Sequence, residues 1–116
     1  MTVAVAACGG DPVGMVACTD NIVPGIRATA LNASSNADIT SGAYLVATEG
    51  TYRDSVGPGL SVLSAAAERT GIYTVRIGHP GYFAFIRNNV VVAKDECHVI
   101  PVVLQVKLIA GGGGPN

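Results

Sequence analysis

The chain has 116 residues, 49% of them hydrophobic and 13% charged, with a net charge of −1. That length supports one domain burying roughly 65% of the surface its unfolded chain would expose, and the apolar fraction argues against disorder. The seven basic residues (Arg27, Arg53, Arg69, Arg76, Arg87, Lys94 and Lys107) are dispersed, whereas nucleic-acid affinity needs grouped Lys and Arg to neutralise phosphates, so no nucleic-acid partner is expected.

Residues 1–17 read as an N-terminal segment separate from the domain. Within them VAVAACGGD resembles the lipobox of bacterial lipoproteins, which implies lipidation at Cys8, export to the cell envelope, and a membrane link through that anchor alone. The apolar stretch before Cys8 is shorter than the about 7 to 15 residues of a full signal, and the other reading is an ordinary thiol in an N-terminal arm. No run reaches the about 18 apolar residues of a membrane-spanning helix. Cys18 precedes the first expected strand and Cys97 the last, so a bridge between them would tie the two ends of the domain together. There is no C-x-x-C pair, and His79 and His98 are the only histidines, so neither a metal site nor a cofactor is expected.

The domain proper is expected over 18–109. IRATAL after Pro24-Gly25 is a strand leading into the turn formers NASSNAD. AYLVATEGTYRDSV divides at Glu49-Gly50 into two extended pieces. LSVLSAAAERTG is ambiguous between helix and strand and is taken as a strand ending at Arg69, with Val62, Ser64 and Ala66 on one face. In GIYTVRIGHPGY, Tyr73, Val75 and Ile77 alternate with Thr74 and Arg76, the period of a half-buried strand. His79-Pro80-Gly81 then forms a type II corner, because Pro presets φ at its first central position and Gly accepts positive φ at its second. FAFIRNNVVVAKDE is expected to give two short strands separated by Asn88-Asn89. HVIPVVLQVKLI places Ile100, Val102, Leu104, Val106 and Leu108 on one face, with Pro101 confining its start to an edge or bulge. Residues 110–116 form a flexible Gly-rich tail.

About seven short strands with no convincing helix define an all-β, antiparallel two-sheet sandwich of Greek-key type. The set Gly71, Tyr73, Val75, Ile77, Gly81 and Tyr82, with VVVAKDECHVIPVVLQVKL downstream and Pro24-Gly25-Ile26 at the start, resembles the carboxypeptidase regulatory-like domain, a transthyretin-like sandwich. The resemblance spans most of the chain. It implies a module without an active site, which accompanies envelope or secreted proteins as a structural or interaction domain. A related transthyretin-like group hydrolyses hydroxyisourate and ends in Y-R-G-S; Tyr52-Arg53-Asp54-Ser55 is internal here and carries Asp54 in place of Gly.

The resulting expectation is a non-catalytic, exported, accessory or protein-interaction module whose partner is an envelope protein or a glycan. A carbohydrate-binding module is the first alternative, with Tyr44 and Tyr52 as candidate ligand contacts, because Tyr73 and Tyr82 have structural duties in the core and at the turn. A small hydrolase is the second; it would need His79 or His98 to meet an acid and a nucleophile. Asp95, Glu96 and His98 flank Cys97, but strand alternation would set Asp95 opposite the other two.

Overall fold

The computed structural model describes residues 18–111; residues 1–17, with the lipidation expected at Cys8, and 112–116 lie outside them. Seven strands form two packed sheets. β1 (Pro24–Asn32), β4 (Leu63–Ala67) and β7 (Val102–Leu108) make a three-stranded sheet in the order β4-β1-β7. β2 (Tyr44–Glu49), β3 (Tyr52–Val56), β5 (Gly71–Gly78) and β6 (Phe85–Val92) make a four-stranded sheet in the order β3-β2-β5-β6. The fold is therefore the expected all-β two-sheet sandwich. One pairing departs from an all-antiparallel arrangement: β1 runs parallel to β7, from Ile26 opposite Val102 to Asn32 opposite Leu108. A parallel pair needs a long crossover, and the five intervening strands supply it.

Alternation builds the core. From β5, Tyr73, Val75 and Ile77 are fully buried, and they meet Leu45 and Ala47 of β2 and Ile26, Ala28 and Ala30 of β1. Each large aliphatic side chain buried this way contributes about 1.5–3 kcal/mol. Leu104, Val106 and Leu108 of β7 face the same core, whereas Ile100 is 51% exposed. The chain enters β7 only after Pro101, so the alternation of the strand does not extend back to Ile100.

Two strands differ in detail from expectation. β4 stops at Ala67, and its buried face is Leu63 and Ala65, with Val62 and Ser64 outward. Ala66 is buried as well because its backbone turns to φ 55, breaking the alternation, and Glu68 follows at φ 50. β6 is one strand rather than two. Asn88 and Asn89 together stand opposite Thr74, between the pairs Tyr73–Val90 and Val75–Arg87, and Asn89 has φ 58. Asn89 thus takes up left-handed backbone in a β-bulge instead of a turn.

The corner after β5 is a type II turn: the Tyr82 N–H donates to the His79 carbonyl at 3.0 Å, and Gly81 has φ 85. The Tyr82 hydroxyl accepts a hydrogen bond from Asn32 Nδ2 at 2.8 Å, so it closes onto a side chain at the end of β1. Pairing continues past residue 109, since Ala110 bridges Tyr82 and the Gly111 N–H donates to the Gly81 carbonyl.

Candidate binding face

The four-stranded sheet presents an outer face whose composition follows from register. Outward residues on β2 are Tyr44, Val46 and Thr48, set opposite Gly78, Arg76 and Thr74 of β5. On the other side of β2, Arg53 of β3 pairs with Thr48 and Ser55 with Val46. Arg76 in turn faces Ile86 of β6. Tyr44, Val46, Thr48, Arg53, Thr74, Arg76 and Ile86 line a groove of about 450 Å³. Two arginines thus flank β2 diagonally, roughly 12 Å apart at Cα by strand spacing and rise.

Neither arginine has a carboxylate partner among the described residues, where the ion pairs are Arg69–Glu49 and His98–Glu68. The acids of the same strands are occupied elsewhere. Asp54 points inward and accepts the Ala66 N–H at 2.9 Å, which stitches β3 to β4. Glu49 accepts the Ile72 N–H at 2.6 Å and Arg69 Nη1 at 2.8 Å; the backbone bond first, and then Arg69, hold its carboxyl below the usual range. No outward position in the four paired strands is acidic, leaving this face positive.

Tyr44 is half-buried at the end of the groove, with its phenol end against the Cα of Gly78. A Cβ at residue 78 would stand 2.4 Å from the Tyr44 hydroxyl oxygen, so only glycine lets the ring settle onto the sheet. Thr74 Oγ1 bonds Asn88 Oδ1 at 3.1 Å, and Thr48 Oγ1 donates to the Thr74 carbonyl at 3.4 Å, which orders the floor.

Tyr52, the other tyrosine singled out in the sequence, sits on the inner side of β3. It packs edge-on against Tyr73 with ring centroids 5.9 Å apart, and the Arg69 guanidinium covers it at 3.8 Å. Burial, followed by the nearby Asp54 charge, raises its phenol pKa. Tyr44 and Tyr52 therefore occupy opposite faces of the sheet and do not converge. The arginine pair carries no local sequence signal, because Arg53 on β3 and Arg76 on β5 are brought together only by the registers of both strands with β2.

A second groove, of about 490 Å³, lies along β4 and β1 and includes Ile22, Pro24, Arg27, Val62 and Asp54. Although larger, it is mostly apolar, its acid is already bonded to Ala66, and that acid offsets the charge of Arg27.

The histidines occupy two different places. His79 is half-buried at the corner, bonded through Nδ1 to the Pro80 carbonyl at 2.8 Å and edge-on to Tyr82 at 4.8 Å. Residues 95–98 form the tip linking β6 to β7, where Asp95 Oδ1 accepts the N–H groups of Cys97 and His98. These two bonds, His98 first, keep the Asp95 carboxyl below its usual range. Strand alternation does not apply at this tip, and His98 turns to Glu68 at 2.5 Å and to Thr19 Oγ1 at 3.0 Å. This is the order of hydroxyl, imidazole and carboxylate found in nucleophilic sites. Here, however, Glu68 also accepts the Val23 and Val99 N–H groups, and the Thr19 hydroxyl donates to the side-chain Oδ1 of Asn21. Both ring nitrogens are engaged, so the array fastens the N-terminal entry, the end of β4 and the 95–98 tip to one another.

Beside this array Cys18 and Cys97 form a disulfide, with Cα atoms 5.2 Å apart. A bridge of this kind indicates an oxidising, extracytoplasmic environment. Among the described residues no helix is long and apolar enough to cross a membrane, and no cluster of three His, Cys, Asp or Glu side chains could hold a metal ion. No family model matches the chain, and no curated protein or solved structure is significantly similar to it.

Proposed function

We propose that this chain is a non-catalytic, exported β-sandwich module that binds a cell-envelope partner through the outer face of its four-stranded sheet, with Cys8 as a lipid attachment point. The observation that carries this reading is the groove between Arg53 and Arg76, a concave, cationic surface with no carboxylate partner to either arginine among the described residues. Export is supported by the Cys18–Cys97 bridge, and the accessory role by the resemblance of the 71–82 segment to carboxypeptidase regulatory-like domains. The Thr19–His98–Glu68 array supports a fastening role, because its carboxylate is taken up by the Val23 and Val99 N–H groups.

Co-sedimentation with envelopes of the host organism tests it. The wild-type chain and an Arg27→Gln control on the other sheet should sediment alike, whereas Arg53→Gln/Arg76→Gln should stay in the supernatant. Equal sedimentation of all three would remove the face from consideration. A carbohydrate-binding role gains a specific support from Tyr44, the aromatic ring that lines this groove.

A further inference from the structure

We infer that the groove between Arg53 and Arg76 takes an acidic glycan, a polysaccharide bearing carboxylate or sulfate groups; this rests on the binding-face reading above. Three features of the groove act together. Arg53 and Arg76 stand on opposite sides of β2, offset along it by two residues, through the pairs Thr48–Arg53 and Val46–Arg76. They can therefore meet anionic groups on separate units of one chain, and guanidinium forks pair with planar carboxylates and sulfates in two-pronged fashion.

The second feature is Tyr44. Its phenol end is seated on Gly78, so the ring is fixed in position at the end of the groove rather than swinging in solvent. A fixed aromatic ring provides an apolar surface for the C–H face of a sugar at low entropic cost. Third, the floor between the arginines is Val46, Thr48 and Thr74, a mix of apolar and hydroxyl surface that suits a ring bearing hydroxyls. Charge sets the sign of the ligand, since no outward residue of the four paired strands is acidic. The aromatic end and the hydroxyl floor favour a saccharide over an acidic peptide.

The test is affinity electrophoresis of the full chain through gels containing polygalacturonate, dextran sulfate, uncharged dextran or poly-glutamate. Retardation by either charged polysaccharide, with none by dextran, is expected, and which one retards more assigns carboxylate or sulfate. Arg53→Gln/Arg76→Gln should weaken retention at least tenfold, and raising salt from about 50 to 200 mM should weaken that of the wild type severalfold. Tyr44→Leu should weaken retention on the polysaccharides about tenfold while leaving any poly-glutamate interaction unchanged. Passage of the wild type unretarded through both charged polysaccharides would overturn the assignment, as would retention that survives in the double arginine variant. Poly-glutamate retarding as strongly as the polysaccharides, regardless of Tyr44, would make the ligand an acidic peptide and overturn it too. If the glycans fail while the double variant still loses envelope sedimentation, the ligand class alone is wrong. If sedimentation is also unchanged, the face itself is wrong.

Discussion

Replacing Tyr73 with Phe removes one oxygen at the outer end of a core ring, where it meets the turn at residues 69–70, and leaves the ring in place. That oxygen donates to the Arg69 carbonyl at 2.9 Å and accepts from Arg69 Nη1 at 2.9 Å, locking the 68–70 turn that carries the chain from the three-stranded to the four-stranded sheet. Tyr73 is fully buried, so the bonds cannot be exchanged for water at that site without opening the core. Leaving a buried partner unsatisfied costs about 1–3 kcal/mol. The Arg69 side chain is 37% exposed and keeps its Glu49 contact at 2.8 Å, so its guanidinium can rehydrate, which puts the expected loss near 1–2 kcal/mol. With an unfolding entropy of about 0.24 kcal/mol/K for a chain of this length, Tm should fall by roughly 4–8 °C. Urea denaturation followed by far-UV circular dichroism would give the loss as a lowered midpoint at unchanged slope. Tyr73→Ala should lose about 3–5 kcal/mol, because it adds a cavity. A Phe variant as stable as wild type, or as unstable as the Ala variant, would refute the assignment of the hydroxyl as a turn lock.

Reduction of the Cys18–Cys97 bridge, which spans 79 residues, should lower stability by about 4.5 kcal/mol in the chain-entropy model, near 18 °C in Tm, read by calorimetry with and without reductant. Gly78→Ala should lose about 1–3 kcal/mol by overpacking against Tyr44, and near-ultraviolet circular dichroism should report the displaced ring; an unchanged spectrum would contradict the contact. Acid should destabilise the fold through carboxylates held below their usual range: Asp38 by Thr40, Glu49 by the Ile72 N–H and Arg69, and Asp95 by the His98 and Cys97 N–H groups. Glu68 joins them: burial pushes its carboxyl up, and the bonds from Val23, His98 and Val99 together with the His98 charge more than offset it. Since folding depresses these values, their stabilisation is complete above the unfolded carboxylate range and is lost as pH falls through the lower folded values. A pH titration of the urea midpoint checks the sign, and Glu49→Gln should flatten it.

The inward half of this protein was legible in its sequence. Tyr73, Val75 and Ile77, and likewise Leu104, Val106 and Leu108, declare their face by a period of two, and a sandwich follows once several such strands are separated by turn formers. His79-Pro80-Gly81 was legible for a different reason, since Pro and Gly restrict backbone angles whatever surrounds them. Asn88-Asn89 signalled left-handed backbone correctly, but the choice between turn and bulge is made by the partner strand β5, which no local pattern in 85–92 contains. The phase of β4 was illegible because Val62, Leu63, Ala65 and Ala66 are all apolar, and the left-handed turn at Ala66 then breaks the alternation by burying that residue too.

The parallel pairing of β1 with β7 was equally hidden, because strands at the two ends of the domain carry no mark of mutual direction. The outer face illustrates the same limit for function. Arg53 and Arg76 are 23 positions apart and become neighbours only through the registers of β2 with β3 and β5. Tyr52 and Tyr44 looked equivalent in sequence, yet the parity of their hairpin puts one beneath Arg69 and the other in the groove.

Export and the Cys18–Cys97 bridge are tested most directly by intact mass. The chain would be purified from membrane and soluble fractions of its own host and weighed before and after reduction. Recovery with the envelope, a mass two hydrogens below the fully reduced form at Cys18 and Cys97, and acyl mass on Cys8 is the expected result. A cytosolic chain with three free thiols and no added mass would contradict it.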